Sequence, residues 1–172
     1  PGATTDIVDP KTGIKLTYGI PLFGAICSNL PFIAFENVPA EDELLINQEF
    51  DRDYVNRKSD LSYFIALHLA NMLRDKGYLG IITSNAWLGT SAGAAFYCNL
   101  LEHYNLLQVH VSGSGRWFQN ADVVTTILIL QKRDSSENRL PTTFWLWKKT
   151  LESISNNSDY ERTIIESSLL NK

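Results

Sequence analysis

Cysteine is scarce in this 172-residue chain: Cys27 and Cys98 are the only two. Both stand among apolar neighbours, which predicts two reduced core thiols of a cytoplasmic protein rather than a disulfide. No cysteines and histidines recur at zinc-ligand spacing, so no metal centre is expected. Positive charge is also short. Fifteen Lys and Arg face 19 Asp and Glu, a net charge of -4. A self-sufficient nucleic-acid binder carries a basic footprint, so any phosphate contacts must come from another domain or another part of a longer chain. There is no apolar run of 18 or more residues, hence no expected membrane span or membrane partner. Pro1–Thr5 has neither the basic start nor the apolar stretch of a signal peptide, and the missing initiator Met reads as a fragment or a processed chain.

What is present suits one α/β domain. Hydrophobic residues make up 44% and charged residues 20%, enough for a sizeable core. Asp9-Pro10-Lys11-Thr12-Gly13 is a turn signal between two short extended runs. Leu22–Cys27 is apolar without alternation, the pattern of a strand buried on both faces. Pro31 ends it, because proline cannot donate to a ladder. Residues 36–58 read as a long acidic excursion with one or two helical turns. Ser59 or Asp60 caps a helix whose face is Leu61, Phe64, Ile65, His68, Leu69, Met72 and Leu73, with Gly77 as its stop and His68 as a core histidine. A second buried strand covers Tyr78–Thr83, and Thr90 or Ser91 opens a second helix that turns Phe96, Tyr97, Leu100 and Leu101 inward. Leu106–Val111 and Val123–Leu130 are further strands. Helical crossovers predict a mostly parallel sheet, with the last strand antiparallel because no helix precedes it. Asp134–Pro141 reads as a linker, 142–147 as an edge strand, 148–155 as a short helix, and the stretch around Ile164, Ile165, Leu169 and Leu170 as weakly helical.

Open α/β sheets bind ligands at the carboxyl ends of their strands. Three unusual segments fall there: Ser28–Phe32, Ser84–Leu88 and the loop around Phe118. Asn29 offers an amide oxygen and Leu30 a backbone carbonyl, two acceptors suited to one exocyclic amino group. Held by both, the nitrogen stays pyramidal and keeps its lone pair available for a methyl group. Phe32 can stack on a base taken out of a duplex. Gly113-Ser114-Gly115 follows a late strand and precedes no helix, so it reads as a flexible loop rather than a cofactor cradle. His103 and His110 have no nucleophile pattern beside them, and the acidic run 41–53 reads as a solvated face before it reads as a nuclease metal site.

Asn29-Leu30-Pro31-Phe32 resembles the Asn-Pro-Pro-Tyr/Phe motif of amino-methyltransferases. Three further segments resemble, in order, those of N6-adenine DNA methyltransferases of restriction-modification systems: Ser59–Ile65, Gly77–Leu88 and Phe118–Thr126. The likeness covers about residues 20–133. It implies the C-terminal part of a Rossmann-like class I methyltransferase sheet. Residues 1–133 would be the target-base half of the catalytic domain, and 134–172 a linker and the start of a following segment. It implies S-adenosylmethionine as methyl donor, DNA as substrate through a recognition domain outside these residues, and the remainder of the methyltransferase as partner. It assigns the amino group to Asn29 and the Leu30 carbonyl, with Pro31 shaping the turn. Phe32 would stack on one face of the adenine and Phe118 pack on the other, with Trp117 the adjacent alternative. Asn85 and Trp87 would line the pocket wall.

Two departures matter. Leu30 replaces the first proline of the usual motif, but the acceptor there is a backbone carbonyl. The Asn-Leu-Pro form also occurs in ribosomal-RNA adenine dimethyltransferases, which keeps RNA modification open as an alternative. No Gly-rich turn of a cofactor site precedes Leu22, so the cofactor-binding half is expected outside this chain and the fragment alone is expected to be inactive. A non-catalytic binding or scaffold fragment is the remaining reading.

Overall fold

The computed structural model describes residues 4–19, 21–49, 59–118, 122–134, 136–148 and 164–168. Strands β1 (Thr4–Val8) and β2 (Lys15–Gly19) pair as a separate antiparallel hairpin. The predicted turn joins them: Asp9 accepts from the Lys11 N–H and the Thr12 hydroxyl, both at 2.8 Å, and Gly13 takes φ +69°, a conformation that favours glycine.

Then follow β3 (Phe23–Asn29), a 3-10 turn (Phe35–Asn37), α1 (Ala40–Glu49), α2 (Leu61–His68), a 3-10 turn (Leu69–Met72) and β4 (Leu73–Ser84). A 3-10 turn (Asn85–Leu88), α3 (Ser91–His103), β5 (Tyr104–Ser112), β6 (Thr125–Lys132), β7 (Thr143–Trp147) and β8 (Ile164–Ser168) complete the order. Strands β3 to β8 make one sheet in the order β3-β4-β6-β5-β7-β8. The pairs β3–β4 and β5–β7 are parallel, whereas β6 runs antiparallel to both of its neighbours and β8 to β7. β3, β4, β5 and β7 therefore point the same way, and the mixed α/β sheet expected from the helical crossovers is present, with β6 as its reversed strand and β8 adding another.

One face of this sheet is packed. Tyr63, Ala66 and Leu67 of α2 and Phe96 and Leu100 of α3 join Leu79, Ile81, Val109, Leu128 and Leu130 in one core. The Tyr63 and Phe96 rings stack at 4.3 Å, and the Tyr104 hydroxyl donates to the Ala66 carbonyl at 3.0 Å. Asp60 caps α2 by accepting from the Ser62 N–H at 2.9 Å, and Thr90 caps α3 by accepting from the Gly93 N–H at 3.0 Å. Strand residues of the opposite parity, on the other face, are less covered. Phe23 and Tyr78 are 39% and 48% exposed, Ala25 and Cys27 are exposed, and Gly80, Ile82, Ile127 and Ile129 are half-buried.

Several expectations are corrected. β3 is not buried on both faces. Among the described residues it is the outer strand of the sheet, and its residues alternate between exposed and half-buried. Cys27 and Cys98 are free but exposed: Cys27 lies on the less covered face and Cys98 on the solvent side of α3. Helix α2 stops at His68, and the chain reaches β4 through a 3-10 turn. Lys76, at φ +60°, and Gly77 sit inside that strand, where its register against β3 slips between Phe23 and Ala25. His68, beyond the packed stripe, is exposed. β7 is not an edge strand, because β8 covers it, and Ile164–Ser168 is a strand where a weak helix was expected. The short helix expected at 148–155 falls, beyond Lys148, outside the described residues.

Candidate active site

Because β3, β4 and β5 run in one direction, their carboxyl ends share one edge of the sheet. Three segments meet there: the turn after β3, the 3-10 turn after β4, and the loop from β5 back to β6. The turn after β3 is fixed at both ends. The Leu30 N–H donates to the Ile82 carbonyl at 3.2 Å, and the Leu30 side chain is buried in the core. Past Phe32, Leu61 N–H donates to the Ile33 carbonyl and Phe35 N–H to the Ser59 carbonyl, both at 2.8 Å, around an Ala34–Asp60 bridge. Between these anchors Asn29 and Pro31 are exposed and Phe32 is half-buried. A strand that ends on a proline cannot extend its ladder, so the amide of Asn29 is left at the edge, open to a ligand.

The loop between β5 and β6 is tied to the same edge. Asn85 N–H donates to the Val124 carbonyl at 2.8 Å, and Arg116 pairs with Asp122 at 2.8 Å. Trp117 and Phe118 are half-buried near its middle. Gly113, at the start of the loop, donates to the Trp147 carbonyl and packs against Leu146. The Gly-x-Gly segment therefore caps the end of β7 and opens no helix.

Asn85 is exposed on this edge. Trp87 is buried: its indole N–H donates to the Thr126 hydroxyl at 3.0 Å, its ring stacks on Tyr97, and it lines a cleft with Leu88, Tyr97 and Phe144.

A polar cluster lies beside the turn that sequence reasoning had not assembled. Ser84, at the end of β4, pairs across the ladder with Thr125 of β6. Both residues are buried, and among the described residues neither hydroxyl has a hydrogen-bond partner. Burial pushes the Asp60 carboxyl above its ordinary range, against the Ser62 bonds that pull it down, and pushes the Tyr63 phenol up to about 12. In the sequence, Asp60 was legible only as a helix cap; strand pairing is what sets Ser84 against Thr125.

The profile of the Eco57I restriction-modification methylase family matches residues 15–118, which include the β3 turn, α2, β4, α3 and β5. The chain belongs to the Eco57I restriction-modification methylase family. Solved structures share the fold. The type IIG restriction endonuclease BpuSI matches at 12% identity and TM-score 0.59, over 84% of this chain and 19% of that one. The methyltransferase subunit of a type I restriction-modification system from Streptococcus thermophilus matches at 21% identity and TM-score 0.55, over 74% and 27%. The EcoKI M protein matches at 17% identity and TM-score 0.51, over 74% and 25%. At these identities the likeness is one of fold. This Eco57I-family chain spans about a quarter or less of the length of these structures.

Proposed function

We propose that this chain forms the target-base side of an adenine-N6 DNA methyltransferase of a restriction-modification system. The observation that carries the reading is the placement of Asn29-Leu30-Pro31-Phe32 at the carboxyl edge of a methylase-family sheet, held by Ile82 on one side and by the α2 cap on the other. In this reading the Asn29 amide oxygen and the Leu30 carbonyl accept from the adenine amino group. Phe32 stacks on the flipped ring, and Phe118 closes the other side from the β5–β6 loop. Substitution of leucine for the usual proline leaves the Leu30 carbonyl in place. Asn85 forms part of the rim. Trp87, pinned by Thr126, supports the wall from behind.

S-adenosylmethionine, when bound, supplies the methyl group. The described residues do not fit its cradle: they offer no Gly-rich turn between a strand and a helix, and Gly113–Gly115 is committed to the end of β7. The donor is therefore held by the rest of the methyltransferase. The edge of β3 that pairs with no other strand among the described residues, and the less covered sheet face with Phe23, Ala25, Cys27 and Tyr78, suit the docking of that half. DNA reaches the edge through a recognition domain, in keeping with the acidic balance of this chain.

The test is Asn29→Ala in the full-length protein. Losing a polar contact made to the reacting group costs on the order of 100-fold or more in rate. Methyl transfer should fall to background while the melting temperature stays unchanged. Wild-type methylation by this variant contradicts the proposal.

A further inference from the structure

The leucine of Asn29-Leu30-Pro31-Phe32 makes two attachments at the end of β3. Its N–H donates to the Ile82 carbonyl at 3.2 Å, which carries the parallel β3–β4 ladder one step past the Asn29–Ile82 pair. Proline has no N–H to give. Its side chain is 3% exposed and belongs to the core that includes Tyr63 and Leu67 of α2 and Leu79 and Ile81 of β4. Burial along β3 alternates. Phe23, Ala25, Cys27 and Asn29 are exposed, Gly24, Ile26 and Ser28 are half-buried, and Leu30 continues the second series into the core. Successive side chains of a strand point to opposite faces, so seating Leu30 in the core turns Asn29 away from it. Pro31 disfavours the helical region for the residue before it, which keeps Leu30 in the extended run of the strand.

We propose that Leu30 is a positioning residue: its N–H and its buried side chain fix the rotation of the strand end that presents the Asn29 amide to the adenine amino group. The inference rests on the reading of Asn29-Leu30-Pro31-Phe32 as the adenine site. It makes leucine at this position a functional choice rather than a neutral departure from the Asn-Pro-Pro motif that the turn resembles. Proline at position 30 would give up the bond to Ile82 and put a smaller ring where the leucine side chain fills the core. Both changes loosen the strand end. Hydrogen bonds weaken steeply as their angle departs from linear, so a small rotation of Asn29 is enough to weaken its contact.

The test measures binding of the full-length protein to duplex DNA with no methyl donor present. Two duplexes are compared, one with adenine at the target position and one with unsubstituted purine, which lacks the amino group. The ratio of the two affinities, adenine over purine, reads the amino-group contact. A general loss of stability weakens both complexes alike and leaves the ratio unchanged. Asn29→Ala should lower the ratio about 3- to 10-fold, the value of one hydrogen bond. Leu30→Pro should lower it to a similar extent, and the double variant should lose less than the sum of the two separate losses. Leu30→Met keeps the N–H and the apolar bulk and should keep the wild-type ratio. Leu30→Ala keeps the N–H but empties the core position; it should lower the ratio by less than Leu30→Pro, and it carries the test if Leu30→Pro does not fold. A wild-type or higher ratio for Leu30→Pro, or for Leu30→Ala in its place, overturns the proposal while Asn29 keeps its role. Fully additive losses in the double variant, or a Leu30→Met ratio as low as that of Leu30→Pro, overturn it as well. If Asn29→Ala itself leaves the ratio at the wild-type value, the adenine reading fails and takes the proposal with it.

Discussion

The two faces of the main sheet differ in how far this chain completes them. On one, α2 and α3 bury Leu79, Ile81, Leu128, Leu130 and Val109 and bring the Tyr104 hydroxyl to a backbone carbonyl. On the other, Phe23, Ala25, Cys27 and Tyr78 are exposed and Gly80, Ile82, Ile127 and Ile129 are half-buried. Parallel strands are normally covered on both faces, so among the described residues the contrast sets a packed face against the less covered one that the proposed function assigns to the rest of the methyltransferase. The candidate adenine site lies on the carboxyl edge between the two faces: it is anchored from the packed side by Leu30 and Asp60 and open at Asn29.

Substitutions on the two faces test that contrast. Leu79→Ala removes a fully buried side chain from the packed core and should cost about 2–5 kcal/mol in denaturant unfolding. Phe23→Ala on the open face should cost far less in this chain alone, yet weaken the full-length protein if the missing layer docks there. Equal losses from both substitutions in the isolated chain would erase the distinction. Trp87→Phe leaves the buried Thr126 hydroxyl without its donor and should cost about 1–3 kcal/mol. A loss below a few tenths would show that Trp87 does not pin this edge.

Histidine 110 extends the test to the far end of the sheet. Its Nδ1 accepts from the Trp147 indole at 3.1 Å, which leaves Nε2–H to donate to Gln108 at 3.0 Å. Burial lowers its pKa, so the neutral ring is favoured in the fold. A depressed histidine pKa means the unfolded chain takes up the proton first. Stability should fall as pH drops below the ordinary value of about 6.5. His110→Gln should flatten this acid dependence in thermal unfolding between pH 7 and 5, and an unchanged slope would contradict the assignment.

The smallest effect is expected at Asp60. A raised carboxyl pKa costs stability once the group is ionised, and the cost disappears as pH falls below the unfolded value of about 3.9. Asp60→Asn should therefore be at least as stable as wild type at pH 7, with the difference closing toward pH 4. Chemical denaturation at the two pH values checks this.

Much of the layout was legible in the sequence because it depends on local chemistry. Asp9–Gly13 specifies a turn, Thr90 caps α3, and Pro31 ends β3 at the edge where the candidate site lies. The absence of a helix between β5 and β6 foretold the reversed strand. What stayed hidden depends on neighbours. An apolar run such as Leu22–Cys27 does not say whether a second strand lies beside it, so β3 read as internal although it stands at the edge. His68 matched the helical period but lies where the helix gives way to a 3-10 turn. The Ser84–Thr125 pair exists only through the β4–β6 register, which no local motif encodes.

The central claim is that this edge presents adenine N6 for methylation. The most direct measurement incubates duplex DNA with the full-length enzyme and labelled S-adenosylmethionine, then digests the DNA and identifies the labelled nucleoside by mass spectrometry. The account predicts label in N6-methyladenine for wild type and none for Asn29→Ala. Label in a cytosine derivative, or transfer to RNA with none to DNA, would contradict it.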